Sequence, residues 1–216
     1  MTSRERLPSW FGVDPDRLEA VSVSLGDDAL TARGSSVTGD YVLTYELETG
    51  PGWITRHLAV RATGAGWWRS LLLRRDPGGS WYGKADGQGV DIPGDLHDPA
   101  WLRGATDCDL ALCPLTNTMP VLRHGLLDAA RRGERATAAI TAAWVSVPGL
   151  TVHASPQRYT AGTATPDGGA LIGFVSGDFT ATIRFDRDGL VADYPGIGHR
   201  TTGGPAHRET EPAAGR

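Results

Sequence analysis

Apolar and polar residues alternate with a period of two along much of the chain. Tyr41, Leu43, Tyr45 and Leu47 are separated by Val42, Thr44 and Glu46. Phe179, Ala181, Ile183 and Phe185 are separated by Thr180, Thr182 and Arg184, and Val21, Val23 and Leu25 by two serines. One apolar face and one polar face is the pattern of a half-buried strand. Further strands are expected near 29–38, 53–62, 68–75, 80–84, 106–112, 136–147, 150–161, 170–175 and 189–194. Turn sequences such as Gly39-Asp40, Gly50-Pro51-Gly52, Asp76-Pro77-Gly78-Gly79 and Asp188-Gly189 punctuate them. One segment departs from this rhythm. Met119 to Gly133 carries Val121, Leu122, Leu126, Leu127 and Ala130 at helical spacing, with Pro120 at its start and Gly133 past its end. The alanine-rich stretch 135–147 reads as strand, because Thr137, Thr141, Val145 and Val147 are β-branched. The expectation is a mainly β protein with one short helix.

The chain has 216 residues, the size of one all-β domain that buries a core without disulfide or metal support. We place that domain at residues 9–198 and expect a disordered tail at 199–216, where Gly203, Gly204, Pro205 and Pro212 leave little to bury. The formal net charge of −4 lacks the basic footprint of a nucleic-acid binder. No stretch reaches the ~20 apolar residues of a membrane helix. The segment Met1–Trp10 has no apolar leader run, so the cytoplasm is the expected location. Cys108 and Cys113 are too few for a disulfide scaffold, and five apart on a strand they would face opposite ways. Both are expected to be free thiols. The six histidines show no metal spacing, so no metal or cofactor is expected.

Several residues can carry chemistry. Arg56 shares its strand face with Ile54, Leu58, Val60 and Ala62 if the alternation is regular. A charge on an apolar face must be paired or face a cavity. Arg56 is therefore read either as the partner of Asp107 or Asp109, or as an anchor for an anionic head group. Asp107 and Asp109, two apart, share a face. They suit either an ion pair with arginine or a carboxylate couple with one raised pKa. Between Pro114 and Pro120 neither strand nor helix can run unbroken. Thr116, Asn117 and Thr118 there can serve as a structural connector, with Asn117 or Thr118 capping the helix, or as a polar rim that bonds sugar hydroxyls. Trp81, among seven tryptophans, is either core or a platform for a sugar ring.

The run from Asp107 to Arg123, with Asp107-x-Asp109-Leu110 followed by Pro114-Leu115-Thr116-Asn117-Thr118-x-Pro120, resembles the central motif of the bacterial putative glycolipid-binding family. Val147-Pro148-x-Leu150, Gln157-x-Tyr159 and Gly189-Leu190-Val191-x-Asp193-Tyr194-Pro195-Gly196 follow in the order that family shows. The family pattern often pairs arginines where this chain has Arg123-His124. The resemblance spans about residues 15–198. It implies a curled antiparallel sheet, a spiral β-roll or open barrel like that of bacterial lipoprotein carriers, around an apolar cavity. It also adds Arg123, Gln157, Tyr159 and Tyr194 to the candidate ligand-binding residues.

The expected function is binding of a lipid or glycolipid in that cavity without catalysis. The alternatives are an enzyme of glycolipid metabolism, using Asp107 or Asp109 with Arg56 or Arg123, and another small-ligand barrel, including a haem binder through His57 or His153.

Overall fold

A computed structural model describes residues 3–201. The chain first runs as an antiparallel meander. Its strands are β1 (Arg4–Arg6), β2 (Ser9–Val13), β3 (Asp16–Leu25), β4 (Leu30–Val37), β5 (Tyr41–Thr49), β6 (Thr55–Gly64), β7 (Trp67–Arg75), β8 (Trp81–Gln88) and β9 (Leu96–His97). A 3-10 turn at Ala100–Leu102 leads to β10 (Asp107–Leu110), and another at Pro114–Asn117 leads to the helices α1 (Thr118–Arg123) and α2 (Leu126–Arg131). A second meander closes the chain: β11 (Thr137–Val145), β12 (Val152–Ala164), β13 (Ala170–Ser176), β14 (Phe179–Phe185), β15 (Val191–Tyr194) and β16 (Gly198–Arg200).

All strands belong to one sheet, in the order β10 to β16 and then β2 to β9, with β1 paired to β3. The two meanders meet where β16 pairs antiparallel with β2, His199 opposite Phe11. β10 and β9 are the two ends of the order. The β10 end nevertheless returns to the middle of the first meander: Thr55 N–H donates to the Thr106 carbonyl at 3.0 Å, and Cys108 N–H donates to Thr55 Oγ1 at 2.9 Å. The sheet therefore curls over itself without closing its ladder, and the expected curled sheet or open barrel is what the chain forms. Among the described residues only β10 and β11 run parallel, and the crossover that a parallel pair requires carries both helices.

The helical segment expected at 119–133 is present as two six-residue pieces. Gly125 separates them at φ 61°, a left-handed conformation that glycine adopts without steric cost. Val121, Leu126, Leu127 and Ala130 face the sheet and pack with Ile172, Phe174, Ile183 and Phe185. A larger core fills the concave side of the first meander and takes in Leu58, Leu73, Trp81, Leu110 and Met119. The stretch 135–147 is strand, as its β-branched residues indicated.

Three expectations about the ends and the turns need correction. Arg4–Arg6, left outside the expected domain, is part of the sheet: it pairs with Val23–Leu25, and Arg4 and Arg6 both bind Asp188. His199 and Arg200, assigned to the tail, are strand residues, and Arg200 donates to Asp186 and to the Val191 carbonyl; residues 202–216 of that tail lie outside the described residues. Asn117 does not cap the helix with its side chain, which turns instead toward Tyr159.

Candidate functional site

In β12 the alternation turns His153, Ser155, Gln157 and Tyr159 to one face. The register places Trp144 of β11 between Asp109 and His153, and Tyr159 opposite Phe174. These inward faces, the connector after β10 and the loop after β15 enclose a cavity of about 430 Å³. That lies within the usual range for a small-molecule site.

One wall of the cavity is aromatic. Phe174 lies 6.1 Å from Phe179 and 6.0 Å from Tyr194, ring centre to ring centre, and Phe179 lies 6.2 Å from Tyr194. Phe179 is 41% exposed, so this wall reaches the mouth. Trp144 stands apart from these three rings, 6.1 Å from the His153 ring.

The opposite side is polar and internally bonded. Asp109 Oδ1 accepts from the Thr116 hydroxyl at 2.8 Å, and Asp109 Oδ2 accepts from Gln157 Nε2 at 2.7 Å. Fixing the Gln157 amide this way turns its Oε1 to the Tyr159 hydroxyl at 3.1 Å, which also reaches Asn117 Oδ1 at 3.0 Å. Gln157, Asn117 and Thr116 are buried, and Asp109 keeps partial exposure. Burial raises the Asp109 carboxyl to about 6, against the two donated hydrogen bonds, which lower it; the neighbouring Asp107 charge adds to the rise. Burial also raises the Tyr159 and Tyr194 hydroxyls.

Behind this network lies an ion pair. Arg123 of α1 reaches Asp107 with both terminal nitrogens, Nη1 to Oδ1 at 2.6 Å and Nη2 to Oδ2. The Asp107 side chain is 2% exposed. Of the two carboxylates that share the β10 face, one is thus sealed by arginine and one lines the cavity.

The sequence-derived candidates divide accordingly. Asp109, Asn117, Gln157 and Tyr194 line the cavity. Thr116 and Tyr159 hold those side chains in place, and Asp107 and Arg123 stand behind them. Trp81 is pure core: it is fully buried and its Nε1 donates to the Ala105 carbonyl at 3.1 Å. Arg56 is not on the apolar face. Glu48 pairs with His57 and Thr49 with Thr55, so Arg56 is the extra residue of a β-bulge. The bulge moves the inward position to Thr55 and leaves the Arg56 side chain 58% exposed, 3.5 Å from Glu48. His57 is also turned toward Glu48, away from the cavity. Of the four residues named for an enzymatic alternative, only Asp109 lines the cavity.

The sequence reading missed a second polar cluster. Arg17 and Glu19 of β3 are both buried. Glu19 Oε1 accepts from the Tyr45 hydroxyl at 2.9 Å and from Cys113 Sγ at 3.0 Å. Arg17 Nη2 donates to the carbonyls of Leu112 and Ile197, at 2.6 and 2.8 Å, and so ties together two loops that wall the cavity. Arg17 lies across Gly12, where any Cβ would sit 2.4 Å from Nη1. The signal was present: carrying the Val21, Val23, Leu25 alternation back two steps places Glu19 and Arg17 on the inward face.

Both cysteines are unpaired and buried. Burial pushes the Cys108 thiol up to about 12 and raises Cys113 as well. Since the thiolate is the reactive form, neither should react with an aromatic disulfide reagent in the native protein, and both should react after denaturation. Prompt labelling of the native protein would contradict the enclosed geometry.

The comparisons with known proteins bear on this geometry. Residues 8–200 match the family described as putative glycolipid-binding. The chain belongs to this family. A solved structure of similar shape is the crystal structure of a DUF1089 family protein from Pseudomonas aeruginosa. It is 26% identical, with a TM-score of 0.60 over 85% of this chain and 92% of that one. No curated protein matches the sequence. The putative glycolipid-binding assignment agrees with the resemblance carried by the Asp107–Arg123 motif. Every residue of that motif lies in the match, from the sealed Asp107–Arg123 pair to the cavity-lining Asp109 and Asn117.

Proposed function

We propose that the cavity binds the sugar head of a glycolipid, with its alkyl part against the aromatic wall, and that it does so without catalysis. The observation that carries this reading is the division of one cavity into the Phe174–Phe179–Tyr194 wall and the Asp109–Gln157–Asn117 side. A glycolipid has that same division. Its acyl or alkyl part gains by leaving water, and its hydroxyls need fixed partners when they do. The family's description agrees with this reading. Thr116, Tyr159 and the Asp107–Arg123 pair then act as positioning residues, since they hold the groups that touch the ligand.

The test uses octyl β-glucoside below its micelle concentration, followed by calorimetry and by tryptophan fluorescence, Trp144 being at the cavity. Saturable binding at one site is expected. Gln157→Leu should weaken it about tenfold, the worth of a hydrogen bond to a buried polar partner. Phe179→Ala, at the mouth, should weaken it with little change in melting temperature. Non-saturable uptake, or binding that ignores both variants, would remove the assignment. Release of octanol would replace binding by catalysis.

A further inference from the structure

We infer that the cavity selects an uncharged sugar head and excludes an anionic one. The inference rests on the glycolipid reading above and narrows its ligand class.

Its ground is the distribution of charge around the cavity. Among the described residues, the ionisable ones that line it are Asp109, Cys113, His153 and Tyr194, and no arginine or lysine does. A phosphate or carboxylate head group is ordinarily met by an arginine fork or a lysine. Here the Arg123 guanidinium is engaged by Asp107, and the Arg17 guanidinium stands outside the cavity lining. Arg123 presents both terminal nitrogens to Asp107. Arg17 donates from Nη2 to the Leu112 and Ile197 carbonyls behind the cavity wall; its Nη1 has no partner among the described residues, but it is buried there and does not line the cavity. Neither is available as a fork for a ligand in the cavity.

The polar groups that remain point to a hydroxyl-rich partner. Asp109 receives one donor on each oxygen, from Thr116 and from Gln157. An ionised carboxylate has about four acceptor positions, so it retains capacity for ligand O–H groups. Ser155 and Ser176 also line the cavity, bonded to each other at 3.1 Å, and each hydroxyl both gives and takes. Sugar hydroxyls satisfy this set. An ionised carboxylate cannot donate to Asp109, and an anion about 5 Å from it in an effective dielectric near 20 would lose roughly 200-fold in affinity.

The experiment compares octyl β-glucoside with octyl β-glucuronide at pH 8, on the whole chain. The two share the alkyl chain and ring and differ in one charge. The glucoside should bind at least tenfold more tightly. Asp109→Asn, close to isosteric, should narrow that ratio several-fold by removing the repulsion. Equal affinities, or a preference for the glucuronide, would overturn the inference and leave the binding reading standing. Failure of both amphiphiles to bind would overturn both. If Asp109→Asn does not fold, the ratio measured on the unaltered protein still decides the matter.

Discussion

Arg123→Met should destabilise the protein by about 3–5 kcal/mol, the usual cost of removing one partner of a buried ion pair. The Asp107 side chain is 2% exposed and the Arg123 side chain 14%. Without the guanidinium, Asp107 keeps only the Thr106 hydroxyl, at 3.0 Å. A buried carboxylate with one neutral donor is left paying most of its desolvation penalty. For a domain of this size such a loss lowers the melting temperature by about 6–20 °C. Arg56→Met is the matched control. Its side chain is largely exposed and its contact with Glu48 is 3.5 Å; exposed pairs of that kind contribute between about 0 and 1 kcal/mol. Replacing both partners, Asp107→Leu with Arg123→Met, should recover much of the loss, because nothing charged is then stranded. Urea denaturation of the three variants decides the point. Equal effects of Arg123→Met and Arg56→Met would mean that the Asp107 pair contributes no more than a surface contact.

The contrast between these two arginines also shows what period-two reading can and cannot deliver. The strands were legible because half-buried strands alternate, and nearly every predicted one forms. Arg56 was misplaced because alternation assumes an unbroken ladder. A single bulge at Glu48–Thr49 inverts the face of the residues before it, and no residue type at 54–57 announces it. The requirement behind the misreading was sound: a buried charge does need a partner. That requirement is met at Asp107 by Arg123, a residue the motif resemblance supplied. Trp81 was unreadable for a different reason. A tryptophan beside glycines suits a core and a sugar platform equally, and only packing separates them. The cavity-side polar residues were visible through the motif, since Asp109, Asn117 and Gln157 lie in matching segments. Of its aromatic wall only Tyr194 was. Phe174, Phe179 and Tyr194 sit on three different strands, and only the register of β13, β14 and β15 brings their rings together. The helix break at Gly125 escaped because glycine inside an otherwise helical pattern is tolerated as often as it interrupts.

Between pH 5 and pH 8 the protein should lose about 4 kcal/mol of stability through two buried carboxyls, Glu19 and Asp109. Burial raises Glu19 from an ordinary value of 4.5 to about 7, with the Cys113 and Tyr45 hydrogen bonds and the Arg17 charge opposing the rise. Burial raises Asp109 from 3.8 to about 6. The sign follows from proton counting. Above pH 4 to 5 the unfolded chain has released these protons while the folded chain still holds them. The folded state therefore binds more protons, and stability falls as pH rises through each window, from about 4 to about 6 for Asp109 and from about 4 to about 7 for Glu19. Each displaced unit is worth about 1.4 kcal/mol. From pH 5 upward that gives roughly two units for Glu19 and one for Asp109. The exposed acids whose carboxyls are held low, Asp95, Glu134 and Asp167, titrate below this range and do not obscure it. His124, whose ordinary value is 6.5, does contribute in this range through the unfolded chain. Burial holds its imidazole below its ordinary value, and its effect has the opposite sign. A variant comparison removes that contribution. Glu19→Gln keeps an acceptor for the Tyr45 hydroxyl and cannot ionise. It should therefore flatten the pH dependence by roughly 3 kcal/mol over this interval and make the protein more stable than the unaltered chain at pH 8. Urea unfolding curves at pH 5, 6, 7 and 8 provide the measurement. Parallel pH profiles for the two proteins would show that Glu19 ionises in the folded state as readily as in water, and that the Tyr45, Cys113 and Arg17 contacts fully replace its hydration.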